Sequence, residues 1–171
     1  VFDGGTFALN RGGSLVIKLP LFEEALEHIV LEETDIGWNI IKGELAKFPC
    51  DKELDYQAMV MGLRDYCKKS GFEKVVLGLS GGIDSALVAV IASDAIGSAN
   101  VRSIMLPSPY TSQTSLIDAS DLVENLGCKS DTLPINDSLE AIDKTLSSTF
   151  EGRKIDLTEE NIQSRLRGLL L

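Results

Sequence analysis

Apolar and polar residues follow two different periods along this chain, and the change between them divides it. Near the beginning the apolar runs are short and separated by glycine-containing turns. Residues 7–9 and 15–19 flank such a turn and predict a β-hairpin, and residues 28–31 predict a further short strand. The stretch that follows is polar and contains two glycines and a proline, so we interpret residues 32–52 as an irregular linker.

Beyond residue 52 helical and strand patterns alternate. Predicted helices cover residues 54–69, 84–95, 112–126 and 138–146, and predicted strands cover residues 75–79, 101–106 and 130–135. The continuous apolar run at 75–79 is typical of a strand covered on both faces, and the helix at 84–95 is apolar nearly all round, so burial is expected for it too. This order predicts an α/β fold, a parallel doubly wound sheet preceded by a short β-rich segment.

The first strand of this region runs directly into a helix through six residues that suit phosphate binding, Ser80-Gly81-Gly82-Ile83-Asp84-Ser85. Glycines let backbone N–H groups converge on an anion, and the following helix adds the positive end of its dipole. No lysine follows the last glycine as it would in a Walker loop, so binding must depend on amides, the Ser80 and Ser85 hydroxyls and a metal. Asp84 would hold Mg²⁺ between its carboxylate and the phosphates. An ordinary turn capped by Asp84 explains neither both glycines nor both serines.

Two other segments carry candidate site residues. In open α/β sheets ligands bind beyond the carboxyl ends of the strands, where the loop at 107–112 follows the second strand. That loop is interpreted either as part of the nucleotide site or as a proline-rigidified turn in which Ser112 caps a helix. Thr158 is expected to cap a last helix, on which Arg165 and Arg167 are either functional or surface charges.

The six-residue loop matches the signature of the ATP pyrophosphatases, which split ATP between its α- and β-phosphates. Residues 2–7 (Phe-Asp-Gly-Gly-Thr-Phe), 56–66 and 157–165 together resemble the glutamine-dependent NAD⁺ synthetases. The resemblance implies that residues 1–31 are the end of a nitrilase-like glutaminase domain and that 32–52 are a linker. Residues 53–171 would then be the N-terminal part of an ATP-pyrophosphatase synthetase domain. The chain would be a fragment, incomplete and inactive by itself.

This resemblance also implies substrates and roles. ATP and Mg²⁺ would activate deamido-NAD⁺ as an adenylate, and ammonia, from glutamine in the whole protein, would give NAD⁺. Ser80, Asp84 and Ser85 would act in the reaction, Asp84 would hold the metal, and Asn161 and Arg165 would bind deamido-NAD⁺. The residues assigned to ATP are Leu79, Ser80, Gly81, Gly82, Ile83, Asp84, Ser85, Leu106, Pro107 and Ser112. A homo-oligomer is implied as well.

The amino-acid composition limits the classes of partner and the compartment that we expect for this chain. The net charge of −10 and the pI near 4.5 argue against a nucleic-acid partner. Three cysteines without a Cys-x-x-Cys spacing are interpreted as free thiols, and no segment predicts a membrane span or a signal peptide, so we expect a cytoplasmic protein. Two alternatives stay open: another ATP-pyrophosphatase amidotransferase, such as a GMP or asparagine synthetase, and a nucleotide-binding module without chemistry.

Overall fold

The computed structural model of the protein describes residues 3–154 and 156–171. Phe2, the first residue of one segment behind the resemblance, lies outside the described residues. The chain divides into a first compact unit that ends at Gly62 and a second from Leu63 to Leu171. Helix α1, Asp51–Ser70, runs through the boundary.

The first unit begins with the predicted hairpin. Strands β1, Phe7–Leu9, and β2, Leu15–Lys18, pair antiparallel. Their turn is closed by two hydrogen bonds at Asn10, whose N–H donates to Ser14 O at 2.9 Å and whose carbonyl accepts from Gly13 N–H at 3.0 Å. Pairing across the hairpin therefore confirms the strand prediction for this segment.

A second antiparallel hairpin replaces part of the irregular structure predicted for residues 32–52. Strands β3, Val30–Thr34, and β4, Gly37–Lys42, make irregular structure the wrong prediction for residues 32–42, whereas residues 43–50 lie outside helices and strands, as predicted. The turn is tight because Gly37 adopts a φ of +111° and the Thr34 hydroxyl donates to its carbonyl at 2.6 Å. Whether a domain boundary lies in this region stays a prediction.

The second unit alternates helices with parallel strands, as predicted. Its elements after α1 are β5 Val75–Gly78, α2 Ile83–Ile96, a 3₁₀ turn Ser98–Asn100, β6 Val101–Met105, α3 Gln113–Leu126, β7 Lys129–Thr132, α4 Asn136–Phe150 and α5 Leu157–Leu170. The three strands form one sheet in the order β5-β6-β7 with parallel pairing throughout. None of the described helices is both long and apolar enough to cross a bilayer.

Helices cover both faces of this sheet. Neighbouring residues of β6 point to opposite faces and pack against different helices. Ile104 packs with Leu139 of α4 and Leu166 of α5. Met105 packs on the other face, in the cluster that contains Ala89 of α2 and Ala119 of α3. The doubly wound arrangement predicted for this part of the chain is therefore present.

Burial is less complete than the sequence suggested at two places. Val76 of β5 is 50% exposed, and its neighbour Arg102 on β6 is exposed as well, so the sheet face is not covered at this position. On α2, Leu87 and Val88 are about half exposed, whereas Ala89, Ile91 and Ala92 are buried. One side of α2 packs on the sheet, so the prediction of burial all round is wrong.

The N-terminus of α5 is capped by Asp156 and not by Thr158. The Asp156 carboxylate accepts the Thr158 N–H at 2.7 Å, and the Glu159 side chain accepts the Asp156 N–H at 2.8 Å, which forms a capping box. Thr158 lies one residue inside the helix, where its own N–H needs an acceptor. These bonds fix the start of the helix that carries the C-terminal candidate residues.

Loss of the Asp156 cap is expected to destabilise α5 in a pH-dependent way. Hydrogen bonds from Thr158, from its hydroxyl and then from its N–H, hold the pKa of Asp156 below its usual value. The stabilisation is therefore complete above the ordinary carboxyl pKa and disappears as the pH falls through the lower folded value. We expect Asp156→Ala to lower the unfolding midpoint near pH 7, and the difference from the native protein to shrink below about pH 4.

Asp156→Asn is the matched control, because asparagine caps helices as well as aspartate does but does not titrate. It should unfold near the native midpoint at pH 7. Equal unfolding of all three proteins at pH 7 would contradict the capping role.

Candidate functional site

The predicted phosphate loop lies at the carboxyl end of the sheet. Leu79 N–H continues the strand pairing by donating to Ile104 O at 2.8 Å, and the Leu79 side chain is buried among Ala89 and Ala119. Ser80 then leaves the sheet, and α2 begins three residues later at Ile83. Leu79 is therefore the anchor of the loop, and the residues after it are accessible.

Gly81 brings this loop against α3. Its φ is +81°, and a Cβ built at this position would lie 2.2 Å from the carbonyl oxygen of Ser115. No side chain fits there unless backbone moves. Gly82, with a φ of −86°, would place a Cβ 3.3 Å from the Ser80 hydroxyl, which is tight but leaves the backbone in an ordinary conformation.

The two serines of the loop bind each other and the loop backbone. Ser85 Oγ donates to Gly82 O at 2.9 Å and accepts from Ser80 N–H at 3.2 Å. Ser80 Oγ accepts from Gly82 N–H at 3.2 Å and lies 3.0 Å from Ser85 Oγ. Because the Ser85 proton is used on Gly82 O, Ser80 donates across the serine pair. Of the two hydroxyls, only that of Ser80 can turn to a ligand without giving up a bond to a backbone carbonyl.

Asp84 stands at the open end of α2. No side chain caps the first amides of this helix, so they are available to an anion. The Asp84 side chain is exposed. No group of three or more His, Cys, Asp or Glu residues that could hold a metal is present in the described part of the chain. A single carboxylate fits Mg²⁺ when phosphate oxygens and water supply its other ligands, which is the usual arrangement at nucleotide sites.

A cavity of about 300 Å³ opens beside this loop, at the carboxyl ends of β5 and β6. Its lining is formed by Gly78, Leu79, Ser80, Ile104, Met105, Leu106, Pro107, Thr111, Leu116, Arg167 and Leu171. Most of these residues are apolar, and the polar ones are Ser80, Thr111 and Arg167. This composition is typical of small-molecule sites.

Some residues of the loop after β6 line the cavity, and another caps a helix instead. Leu106 and Pro107 line the cavity, as does Thr111, which the sequence did not single out. Ser112 does not line it. Its side chain accepts the Ser115 N–H at 3.1 Å as the N-cap of α3, so the capping alternative describes this residue.

Helix α5 presents its candidate residues to different surroundings. Asn161 and Arg165 are both exposed and do not line the cavity. Arg167 does line it, and its Nε donates to Leu106 O at 3.2 Å. Arg165 and Arg167 each lie one residue, about 100° of helical rotation, from the buried Leu166, so a helical projection of the sequence does not distinguish them.

The sequence matches the family model described as NAD synthase over residues 55–171. The chain belongs to the NAD synthase family. It is 54% identical over its whole length to a glutamine-dependent NAD⁺ synthetase of Rhodobacter capsulatus and 46% identical to one of Synechocystis. The chain spans 31% and 30% of those two proteins.

Solved structures of NAD synthase family members agree with this assignment. A glutamine-dependent NAD⁺ synthetase of Acinetobacter baumannii, in complex with ADP, matches the whole chain with a TM-score of 0.92 at 39% identity, over 32% of its own length. An NH₃-dependent NAD synthetase of Campylobacter jejuni matches 72% of this chain with a TM-score of 0.63 at 30% identity, over 51% of its length.

Gly81→Ala tests the backbone contact between the loop and α3. Placing a side chain at positive φ costs about 1–2 kcal/mol, and the clash with Ser115 adds to this. We expect a loss of unfolding free energy of at least about 2 kcal/mol in denaturant titrations. Gly82→Ala, at an ordinary φ, is the matched control and should lose much less. Equal losses in the two variants would contradict the close approach at Gly81.

Proposed function

We propose that this chain forms the ATP-activating part of a glutamine-dependent NAD⁺ synthetase. The whole protein would convert deamido-NAD⁺ to NAD⁺ through an adenylated intermediate, releasing pyrophosphate and AMP, with ammonia supplied from glutamine. One observation carries the proposal in this molecule: Ser80, the first residue of the glycine-rich loop that leads into the uncapped start of α2, lines an apolar cavity sized for a small molecule. Family membership, from residues 55–171, supports it.

In the proposed first step the nicotinate carboxylate attacks the α-phosphate of ATP, and the bond to the pyrophosphate breaks. Negative charge develops on the departing oxygens, so fixed donors aimed at them lower the barrier. The free amides at the start of α2 are such donors, and they are held in place by the Gly81 contact and the serine hydrogen bonds. The Ser80 hydroxyl is the side-chain donor that can turn towards a phosphate oxygen.

Asp84 is the residue proposed to hold Mg²⁺. When bound, the ion would neutralise charge on the phosphate oxygens. The exposed carboxylate lies in the first turn of α2, beside the same free amides. In this arrangement the amides, directly, and the Asp84 carboxylate, through Mg²⁺, would both bind the polyphosphate.

The remaining partners are assigned by position. The apolar cavity beyond Ser80, with Leu106 and Pro107, is proposed to take the adenosine of ATP. Asn161 and Arg165, one helical turn apart on the exposed side of α5, are proposed to bind deamido-NAD⁺. Ammonia would then displace AMP from the adenylate. A nitrilase-like origin of the first residues and assembly into a homo-oligomer stay predictions.

The other ATP-pyrophosphatase amidotransferases are not favoured, because the matching family model and the relatives described above are NAD synthases. The reaction products distinguish an enzyme from a module that binds nucleotide without chemistry. The test is turnover by the full-length protein with ATP, deamido-NAD⁺ and either glutamine or ammonia. We expect NAD⁺, AMP and pyrophosphate in equal amounts. ATP bound but not cleaved, or cleaved to ADP, would contradict the proposal.

Asp84→Asn in the full-length protein tests the metal role. We expect pyrophosphate release to fall about a hundredfold or more, because each 1.4 kcal/mol of lost charge stabilisation costs roughly tenfold in rate. The unfolding midpoint should be unchanged, since the side chain is exposed. Asp121→Asn, which removes the same charge from an exposed position on α3, is the control. Near-normal release by Asp84→Asn would refute the assignment.

A further inference from the structure

The phosphate loop has no lysine or arginine of its own, so none of its side chains supplies a positive charge beside the proposed Mg²⁺. A Walker loop places that lysine next to its last glycine. Here Ile83, Asp84 and Ser85 follow the last glycine, and Asp84 adds negative charge. Backbone amides carry only partial charges. A cation brought in from elsewhere in the fold would complete the site.

Arg167 is the only lysine or arginine that lines the cavity beside the loop, as judged over residues 3–154 and 156–171. It follows the loop by about eighty residues and reaches the cavity from the last helical turn of α5. The same cavity is lined by Ser80, the first residue of the phosphate loop. Tertiary structure thus places a guanidinium and the loop around one space.

The hydrogen bonds of Arg167 leave its charge uncompensated. Nε donates to Leu106 O at 3.2 Å and Nη2 to Gln163 Oε1 at 3.5 Å, and both acceptors are neutral. No ion pair joins Arg167 to a carboxylate within the described residues. The side chain is only partly exposed, so the solvent compensates its charge less than at a free surface. Nη1 is left to donate to a ligand.

Two other arginines of this unit show what makes Arg167 different. Arg102 of β6 donates to both carboxylate oxygens of Asp131 on β7 and lowers the pKa of that carboxyl. Arg64 of α1 donates to the carbonyls of Ala95 and Asp94 at 3.1 and 3.2 Å, but it lines no part of this cavity. Of these three arginines, Arg167 alone combines neutral acceptors with a place beside the phosphate loop.

We propose that Arg167 is a phosphate-binding residue, which contacts the polyphosphate of ATP and supplies the positive charge that the loop lacks. The bond from Nε to Leu106 O orients the guanidinium, and a planar fork with free donors suits phosphate oxygens. This inference rests on the proposed function, because it takes ATP as the ligand of the cavity.

The test compares ligands with and without phosphate in the full-length protein. We expect Arg167→Gln to weaken binding of ATP and of inorganic pyrophosphate about ten- to hundredfold, as for loss of a charged hydrogen bond. Binding of adenosine, which has no phosphate, should change less than about threefold, well under 1.4 kcal/mol. Arg64→Gln removes the same charge and two bonds to carbonyls at a position outside the cavity, so it should change none of these affinities.

Three results would overturn the proposal. The first is unchanged ATP affinity in Arg167→Gln. The second is an equal loss of affinity for ATP and for adenosine in that variant, which would indicate a purely structural bond to Leu106, and the third is an equal loss of ATP affinity in Arg64→Gln. The NMR spectrum of the isotope-labelled native protein provides a readout that does not depend on folding of the glutamine variant. The Nε–H resonance of Arg167 is identified as the signal that is missing from the spectrum of Arg167→Lys. It should shift on addition of pyrophosphate but not of adenosine, and a resonance that ignores pyrophosphate refutes the contact. Failure of the proposed function is a separate result, because it appears as absent NAD⁺ formation in the native protein.

Discussion

The close approach between Gly81 and the backbone of Ser115 is the constraint on which the site depends. Because no Cβ fits in that space, the loop after β5 and the first turn of α3 stay in direct backbone contact. The serine hydrogen bonds fix the same loop from inside, because Gly82 N–H donates to Ser80 Oγ and Ser85 Oγ donates to Gly82 O. The loop is therefore shaped before any ligand arrives, and binding costs less conformational entropy.

The parts of the fold that could be predicted from the sequence are those set by local pattern. A continuous apolar run ending in Ser-Gly-Gly fixes a strand, a tight turn and a helix start without information from the rest of the chain. The hairpin of β3 and β4 was predicted only in part, as a strand at 28–31 that overlaps the start of β3, and the rest was missed for the opposite reason. All of β3 is exposed, so no alternation of buried and exposed positions marks it, and its residues are mostly acidic or apolar without a regular period. The Asp156 cap differed from prediction by two residues, within the usual uncertainty of a helix end.

The candidate site was predicted where one segment supplies its chemistry and missed where two segments meet. The loop from Ser80 to Ser85 is contiguous, so its residues could be assigned together. Arg167 contacts Leu106, 61 positions earlier in the chain, and nothing local announces that pairing. Helix α5 therefore carries candidate residues on two of its sides. Arg167 lines the cavity, whereas Asn161 and Arg165 lie on the exposed side. Under the proposed roles, this one helix would fix the spacing between ATP and deamido-NAD⁺.

The two outer strands of the described sheet differ in how they are protected. Strand β7 carries Lys129 and Asp131, and charges of this kind discourage a foreign strand from pairing with it. Strand β5 is Val-Val-Leu-Gly, with no charge and with Val76 half exposed. It is thus a template for intermolecular β-pairing whenever no further strand or helix shields it. Handled as an isolated 171-residue piece, this chain would be prone to self-association along β5, and a single lysine on that strand would counter it.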